Sequence, residues 1–315
     1  WDAEQFVVLA AMREVHDAVD PLQPAHMPYL FPEVFLRERP GFDVLVGNPP
    51  WEEVKVEERS FWLKYRPGLY GLSDADRVAE IERLRAERAE LLPLFEKQKE
   101  DIEGYVRALR RGPFPGMETG DPELAKAFAW RNWTLARDGG HIGLVAPRTL
   151  LNTAGGELWR KEVLATSASD LVVLVNTLRW AFDIHPQYAV ALAAIRKTRG
   201  AGTVQFAGPF HSQKDFESST ERSVLSFEAI AKSTLEAAVP NISDARTGQV
   251  FEQIRIAPRL DEARHDWKYR PVREFDVTND RRFYDAGGHA KGRIPVWGGE
   301  GFNIWDPETG EVKAW

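Results

Sequence analysis

Short apolar runs that alternate with helical patterns are the sequence feature that most constrains the fold of this chain. The runs are FDVLVG at 42–47, HIGLVAP at 141–147, DLVVLVNT at 170–177 and YAVALAAIRKT at 188–198. Patterns typical of helices lie between them, near 121–136 and 155–165. Strands that alternate with helices of about a dozen residues indicate an α/β fold with a mostly parallel, doubly wound sheet. We expect the run at 42–47, which is almost entirely apolar, to be buried on both faces.

The composition limits the classes of protein to which the chain can belong. Its 315 residues are enough for one large domain or two, and no apolar run reaches the roughly 18 residues that a membrane span needs. The chain has no cysteine, which excludes disulfides and thiolate metal sites and fits a reducing compartment such as the cytoplasm. A net charge of -7 argues against a generally basic surface for nucleic acid, although a local basic face is compatible with it.

A charged segment at about 73–112 interrupts the α/β pattern. Its apolar residues recur at roughly helical spacing, and Pro93 is expected to divide the segment into two helices. We expect a solvated helical insertion, because a helix face with this many charges is usually exposed to water. The alternative is a coiled-coil arm that contacts a partner.

The sequence predicts two regions in the chain. A helix is expected within residues 1–30, ended by the Pro-rich DPLQPAHMP. Beyond about residue 221 the sequence becomes mixed and polar, and it ends in a Gly- and Trp-rich stretch. We therefore expect one domain at 1–220 and a second region at 221–315.

The sequence Gly-Asn-Pro-Pro-Trp at 47–51 follows the first apolar run directly. In an open α/β sheet, ligands bind beyond the carboxyl ends of the strands. The side-chain oxygen of Asn48 and the carbonyl of Pro49 are acceptors, and the two prolines fix φ and remove backbone N–H donors. Two acceptors at a fixed angle suit an amino group, and the flat face of Trp51 suits an aromatic ring. The motif therefore predicts a clamp for the exocyclic amine of a planar heterocycle.

Other patterns that could carry chemistry are weak. The seven histidines are scattered, with no pair at the i, i+4 spacing of zinc proteases, so that no metal site is expected. Basic stretches at 107–112 and 268–273 are interpreted as solvated surface. Lys55 and Arg59 follow the clamp in sequence and are better placed to contact a nucleic-acid backbone.

Asn-Pro-Pro-Trp after an FDVLVG strand resembles the catalytic motif of the amino-methyltransferases that methylate N6 of adenine or N4 of cytosine in DNA. DGGHIGLVAPRTLL at 138–151 resembles the next strand of that family, and DLVVLVNT with AFDIHPQYAVALAAIRK resembles its final hairpin. FDVTNDRRFYDAGG and IPVWGGEGFNIWDP resemble the junction at which a target-recognition region begins. In particular, the chain resembles the adenine-specific methylases of restriction–modification and phage-defence systems.

This resemblance implies the second half, strands four to seven, of a Rossmann-like class I methyltransferase sheet, followed by the start of a target-recognition domain. It also implies S-adenosylmethionine as methyl donor. Family members bind that cofactor with a Gly-rich loop after the first strand, whereas the first glycine here is Gly41. The Gly clusters at 286–288 and 298–301 do not open a helix after a buried strand. We therefore expect a fragment that lacks the loop, is inactive alone and binds the cofactor weakly.

The resemblance also assigns roles to the clamp residues. Asn48 and the Pro49 carbonyl would accept hydrogen bonds from the target amine, and Pro50 would stiffen the turn. Trp51 would stack on a base that is flipped out of the duplex. Asn rather than Ser at the first position favours adenine N6 as the target. Trp in place of Tyr is also found in cytosine-N4 enzymes, so that both bases stay open.

Further residues are candidates by their position. The family often places a second aromatic residue near the start of the final hairpin, where Phe182 aligns best, with His185 and Tyr188 behind it. The alternative for Phe182 is a core residue between two strands. Pro147 ends its strand near the same cleft, where it either contacts a ligand or is only a strand stop. Asp43 either contacts the cofactor or caps the edge of its strand.

Double-stranded DNA is the substrate that the resemblance implies. The partners implied are a nuclease or other defence subunit, or the missing N-terminal part of the same protein. One alternative is a degenerate, non-catalytic methylase-fold module for DNA recognition or assembly, which the intact clamp argues against. A second is methylation of an RNA base or of a protein glutamine, and the recognition-type junction favours DNA over both.

Overall fold

The computed structural model describes residues 12–13, 25–118, 121–200, 202–219, 221–242 and 244–259, and the backbone of 296–297 and 312–314. The chain divides into two compact units, Trp1–Ala257 and Pro258–Trp315. In the second unit, Val296–Trp297 and Val312–Ala314 form an antiparallel pair of short strands. Most of the helix expected within 1–30, and the recognition junction and Gly clusters expected after residue 270, lie outside the described residues.

A mixed six-stranded sheet forms the centre of the first unit. Its strands are β1 (Phe42–Gly47), β2 (Ala136–Pro147), β3 (Ser167–Val175), β4 (Ala189–Lys197), β5 (Thr203–Phe210) and β6 (Ser223–Ser226). They lie in the order β1-β2-β4-β3-β5-β6. The α/β class is confirmed, but the expectation of a mostly parallel sheet is wrong, since only the β1–β2 and β3–β5 pairs are parallel. The reason is that β3 and β4 form the expected hairpin, and β4 returns between β2 and β3, antiparallel to both.

Helices pack on both faces of this sheet. The described helices are α1 (Met27–Leu30), α2 (Pro32–Phe35), α3 (Glu58–Leu63), α4 (Asp74–Glu87), α5 (Leu92–Arg111), α6 (Leu124–Leu135), α7 (Thr149–Asn152), α8 (Glu157–Val163), α9 (Gln213–Ser218), α10 (Phe227–Ser233) and α11 (Ala245–Ile254). The main core lies where α6, α8 and α10 pack on the central strands, with Trp133, Trp159 and Ile230 buried against Leu171 and Phe206. No helix among those described is long and apolar enough to cross a membrane.

The charged segment folds as a helical insertion with a core of its own. The side chains of Phe61, Trp62, Leu69, Leu84, Leu91 and Phe95 are buried together there. The Trp62 indole donates a hydrogen bond of 2.9 Å to Glu58, whose carboxylate also accepts from Arg85. Pro93 lies in the first turn of α5, so that the expected division into two helices is confirmed. The insertion begins with α3, earlier than the expected residue 73, because Phe61 and Trp62 of α3 belong to this core.

β1 lies at the edge of the sheet, and one of its faces is uncovered. Val44 and Val46 are 59% and 83% exposed, so that the expectation of a strand buried on both faces is wrong. Val46 pairs with Gly143, and Gly143 pairs with Ala194, which places all three on the same face. An open depression of about 420 Å³ lies over this face. The apolar sequence of β1 fits a strand whose second neighbour and cover are absent from the described residues.

The first unit extends beyond the boundary that we expected near residue 220. β6 pairs with β5 and continues the sheet, and Ile230 and Ile242 are buried in the main core. The unit ends at Ala257. Its last part has a mixed sequence because β6 and the surface helices α10 and α11 bury only one side each.

A fully buried arginine fixes this last part of the unit to α7 and α8. The Arg160 guanidinium donates hydrogen bonds to the carbonyls of Leu150 (2.7 Å), Thr153 (2.8 Å), Glu236 (2.7 Å) and Ala237 (3.0 Å). Burial lowers the pKa of Arg160 to about 10. Because its partners are neutral carbonyls on two segments, the side chain connects the loop at 236–237 to the exit of β2.

Candidate functional site

The start of β1 is fixed by a close backbone approach and by ion pairs. Gly41 has a φ of +108°, and a Cβ there would lie 2.7 Å from the backbone nitrogen of Arg137, so that only glycine fits. The Asp43 carboxylate accepts hydrogen bonds from Arg137 and Arg37. The bond from Arg137 and then that from Arg37 hold the pKa of Asp43 below its usual range. Asp43 is thus engaged at the start of the strand, and a cofactor contact for it stays a prediction.

The clamp residues lie at the other end of β1, where the strand leaves the sheet. Asn48 and Pro50 are exposed and Pro49 is partly buried. Neither the Asn48 side chain nor the Pro49 carbonyl has a hydrogen-bond partner in the part of the chain that the structure describes. The space beside the preceding residue is open as well, since a Cβ added at Gly47 would meet no atom within 4 Å. Two acceptors are therefore available to a donor group that approaches from solvent.

Trp51 is held from two sides. Its ring packs against the apolar cluster of Val172, Leu174, Val190, Ala207 and Phe210 on the far half of the sheet. The segment that follows is fixed to the start of α6, because the Val54 N–H donates to Pro122 (2.8 Å) and the Leu124 N–H donates to Glu52 (3.0 Å). The indole nitrogen of Trp51 is buried without a hydrogen-bond partner among the described residues. The flat ring, and not its N–H group, therefore accounts for a tryptophan at this position.

A second asparagine, Asn176, organises the loop between β3 and β4. It is fully buried, and its Nδ2 donates to the carbonyls of Phe182 (2.8 Å) and Ile184 (3.3 Å). Its Oδ1 accepts from the backbone N–H of Phe182 at 3.1 Å. Asn176 was not among the candidates from the sequence. Its position directly after the apolar run DLVVLV was the feature that could have identified it. Because the bonds reach across the loop, they fix the approach to the hairpin strand β4.

The loop brings Tyr188, and not Phe182, to the site. Phe182 is partly buried and packs on the same apolar cluster as Trp51, which agrees with its alternative as a core residue. Tyr188 is 53% exposed and lines the large cavity beside Trp51. His185 makes an edge contact with Tyr188, with ring centroids 6.5 Å apart. A stacking role for any of these rings stays a prediction; Tyr188 and His185 are exposed, whereas Phe182 is partly buried.

A cavity of about 1040 Å³ lies on the side of Trp51 that faces the helical insertion. Its apolar and aromatic walls are formed by Trp51, Ile102, Pro147, Ile184, Tyr188 and Ala189. Pro147, which ends β2, lines this cavity, and a ligand contact for it stays a prediction. Asn48 and Pro49 lie outside the lining. The insertion contributes Gln98 and Ile102 of α5, so that α5 forms one wall. This volume is at the upper end of those found for small-molecule sites and exceeds that of one nucleobase.

Carboxylates predominate among the charged groups of the cavity. Glu52, Glu53, Glu57, Glu123, Lys55 and Arg148 line it. Lys55 forms ion pairs with Glu53 (2.8 Å) and Glu57 (3.4 Å), and Glu53 is the main cause of its raised pKa. Lys55, which we expected near a nucleic-acid backbone, is thus already paired, and Arg59 is not part of the lining. The described residues hold no cluster of His, Asp and Glu that could bind a metal ion.

Glu123 forms the most enclosed ion pair of the cavity wall. Its carboxylate lies 2.9 Å from Lys126 Nζ, and the two side chains are only 12% and 15% exposed. The Thr149 hydroxyl donates to it at 3.2 Å. Glu123 precedes α6 at the N-cap position, yet its carboxylate makes no capping bond to the helix. It instead joins the start of α6 to the exit of β2, which stiffens this side of the cavity.

No protein-family model matches this chain, and no curated protein matches it. Among solved structures, it is similar to a DrdV–DNA complex, with 14% identity, coverage of 69% of this chain and 16% of the other, and a TM-score of 0.30. A modification subunit assigned to a type I restriction enzyme from Vibrio vulnificus has 14% identity, coverage of 65% and 37%, and a TM-score of 0.34. The ATP-dependent type ISP restriction–modification enzyme LlaBIII bound to DNA has 13% identity, coverage of 68% and 11%, and a TM-score of 0.29.

These likenesses concern the fold alone. The chain spans between 11% and 37% of the length of the three solved chains. The described strands and helices make the chain an α/β protein. Its similarity to the type I modification subunit and to the type ISP restriction–modification enzyme is limited to 13–14% identity and TM-scores of 0.29–0.34.

Proposed function

We propose that this chain is the target-binding half of a DNA amino-methyltransferase, with adenine N6 as the favoured target. One observation carries the proposal: two acceptors without partners, Asn48 and the Pro49 carbonyl, lie at the exit of a sheet strand beside Trp51 and its cavity. An amine on a planar base would give both hydrogens to these acceptors while its ring lies against the indole. Asn at the first position of the motif supports adenine over cytosine.

The contribution of these residues to the reaction is orientation. An aromatic amine is a poor nucleophile because its lone pair is conjugated with the ring. When both amine hydrogens are drawn to Asn48 and Pro49, the nitrogen becomes more pyramidal and its lone pair turns away from the ring plane. Prolines at 49 and 50 keep the acceptors at a fixed angle, so that little reorganisation is needed during the reaction.

The cofactor would be S-adenosylmethionine, and the described residues do not form a site for it. Beside β1 they contain no Gly-rich loop that joins a strand to a helix. The open edge of β1, with Val44 and Val46 exposed, is the place where a further strand would add. We therefore propose that the cofactor loop is supplied by another segment, either of the same protein or of a partner subunit, that pairs with β1.

Isothermal titration of this 315-residue chain with S-adenosylmethionine is expected to show no binding in the micromolar range. The reason is that the loop that would approach the cofactor is not among the residues beside β1. A titration of the chain in the presence of the β1-pairing segment is the matched control, and there binding is expected. Tight binding to the chain alone would contradict the division of the site.

The proposed function is tested by methyl transfer from labelled S-adenosylmethionine to duplex DNA, RNA and protein, with the cofactor-binding segment supplied. We expect label in DNA, at adenine N6 after digestion to nucleosides. Label at cytosine N4 would change the target base and leave the clamp intact. Label only in RNA or in a glutamine side chain would contradict the assignment of DNA as substrate.

A second candidate is a non-catalytic module that uses the same fold for DNA recognition or assembly. The absence of a cofactor loop from the described residues and the exposed β1 face favour it. It predicts DNA binding that does not depend on Asn48, because a scaffold does not need two acceptors for an amine. The Asn48 variants described in the Discussion therefore separate the two candidates.

A further inference from the structure

Arg148 differs from the other cation that lines the cavity. Lys55 is paired with two carboxylates. The Arg148 side chain, by contrast, donates a hydrogen bond of 2.8 Å to the amide oxygen of Asn241, and within the described residues that is its one side-chain partner. An amide oxygen orients the guanidinium but does not neutralise it. Arg148 is therefore the cavity cation whose charge is left for a ligand.

The position of Arg148 is fixed through its backbone as well as its side chain. It directly follows β2, and its N–H donates to the carbonyl of Ala189 at 3.0 Å. Ala189 begins β4 and lines the cavity next to Tyr188. Arg148 therefore lies on the same side of the cavity as Tyr188, and the residue is partly buried there.

Asn241 is in turn held in place by the core. The next residue, Ile242, is buried, and the Val239 N–H donates to the Leu151 carbonyl at 2.9 Å. The preceding loop is bound by Arg160 through the carbonyls of Glu236 and Ala237. A rigid segment thus offers one acceptor to Arg148, and the other N–H groups of the guanidinium are available to a ligand.

An anion that enters this cavity meets carboxylates on one wall. Glu52, Glu53 and Glu57 follow the clamp, and Glu123 lies beside them, because Glu53 and Glu123 form a β-bridge. Phosphate groups are repelled by these residues and attracted by a guanidinium, which binds them with two parallel N–H···O bonds. The Arg148 guanidinium, whose one side-chain partner among the described residues is an uncharged amide, is therefore the group in this cavity that would bind a phosphate.

We propose that Arg148, oriented by Asn241, binds a phosphodiester group of the strand whose base enters the cavity. This rests on the proposed function and adds to it the residue that places the backbone of the target strand. Arg148 then contributes affinity and position, whereas Asn48 and Pro49 act on the amine. A strand with a neutral group at that phosphate is expected to lose the contact.

The test measures binding of the full chain to a fluorescent duplex that carries one adenine opposite an abasic site, which is easily extruded. Arg148→Ala is expected to weaken binding about eight-fold at about 0.1 M salt. It is also expected to make the negative slope of log association constant against log salt concentration less steep by about 0.9. A methylphosphonate next to the adenine is expected to weaken binding by the wild-type chain by the same factor and to have no effect on Arg148→Ala. Asn241→Ala is expected to weaken binding less and to leave the slope unchanged, because the charge remains.

Arg196→Ala is the matched control, since it removes the same charge from the exposed face of the sheet near β1. The proposal is overturned if Arg148→Ala and Arg196→Ala weaken binding equally. It is also overturned if Arg148→Ala weakens binding to a fully paired duplex as much as to the duplex with the abasic site. Either result would show that Arg148 acts only as a general charge or a structural contact. If Trp51→Ala still weakens binding in that case, the proposed function stands without Arg148. No binding of any duplex by the wild-type chain would overturn both.

Discussion

Replacement of Asn48 by alanine is expected to lower methyl transfer by about a hundred- to a thousand-fold, the scale seen when one preorganised hydrogen-bonding group is removed from an active site. Asn48 is exposed and has no hydrogen-bond partner among the described residues, so that its loss removes an interaction that only the substrate makes. Stability is expected to change by less than about 0.5 kcal/mol, as for most surface substitutions. The measurement is the rate of transfer with the cofactor-binding segment supplied, together with a thermal melt of the same variant.

Two other asparagine variants sharpen this experiment. Asn48→Ser keeps one acceptor and is expected to retain part of the activity. Asn176→Ala is the matched control, because Asn176 also follows a strand but is buried and fully hydrogen-bonded. It is expected to lower the melting temperature, which Asn48→Ala leaves unchanged. Normal methyl transfer by Asn48→Ala would refute the clamp and favour the non-catalytic module.

Replacement of Arg160 by alanine is expected to destabilise the first unit by about 3–5 kcal/mol. The substitution leaves four buried carbonyls without their donor, and each unsatisfied group costs about 1–3 kcal/mol before the structure relaxes. A melting temperature lower by roughly 10 °C follows for a unit of this size. The measurement is denaturant or thermal unfolding followed by circular dichroism.

Arg160→Lys and Arg107→Ala are the controls for this prediction. Lysine at 160 keeps the charge but has one nitrogen in place of three, so that it can satisfy only part of the carbonyls and is expected to rescue part of the stability. Arg107 is exposed on α5, and its loss is expected to change stability by less than about 0.5 kcal/mol. Equal stability of Arg160→Ala and Arg107→Ala would mean that water replaces the guanidinium, and that the loop at 236–237 is fixed by its apolar contacts alone.

The parts of the structure that could be predicted from sequence are those set by local patterns. The apolar runs predicted the strands, and Pro93 predicted the division of the helical insertion. The motif that follows β1 predicted that Asn48 is accessible. The covering of β1 could not be read from its residues, because an apolar strand looks the same whether its neighbours are present or absent. The strand order was equally hidden, since it depends on the return of β4 between two earlier strands.

The residues that complete the site could not be predicted for a different reason. Arg148 and Glu123 were not candidates, because they line the cavity only through long-range contacts of the exit of β2 and the start of α6, whereas Tyr188 was a candidate from its place behind Phe182. In the sequence, Arg160 cannot be told from an ordinary basic residue of an amphipathic helix. Its role in linking two segments is evident only from its hydrogen bonds to the loop at 236–237. Residues in a local motif can therefore be predicted from the sequence, whereas residues whose role depends on contacts with distant segments cannot.

The turn that carries Asn48 and Pro49 follows β1, which is an edge strand of the sheet, and this position has a thermodynamic consequence. A marginal strand is the element most prone to fray, and fraying of β1 would disperse the two acceptors of the turn. Any polypeptide that hydrogen-bonds along this strand suppresses the fraying, so that its docking energy is linked to the order of the turn that carries Asn48 and Pro49. Under the proposed function, methyl transfer would then require the segment that pairs with β1.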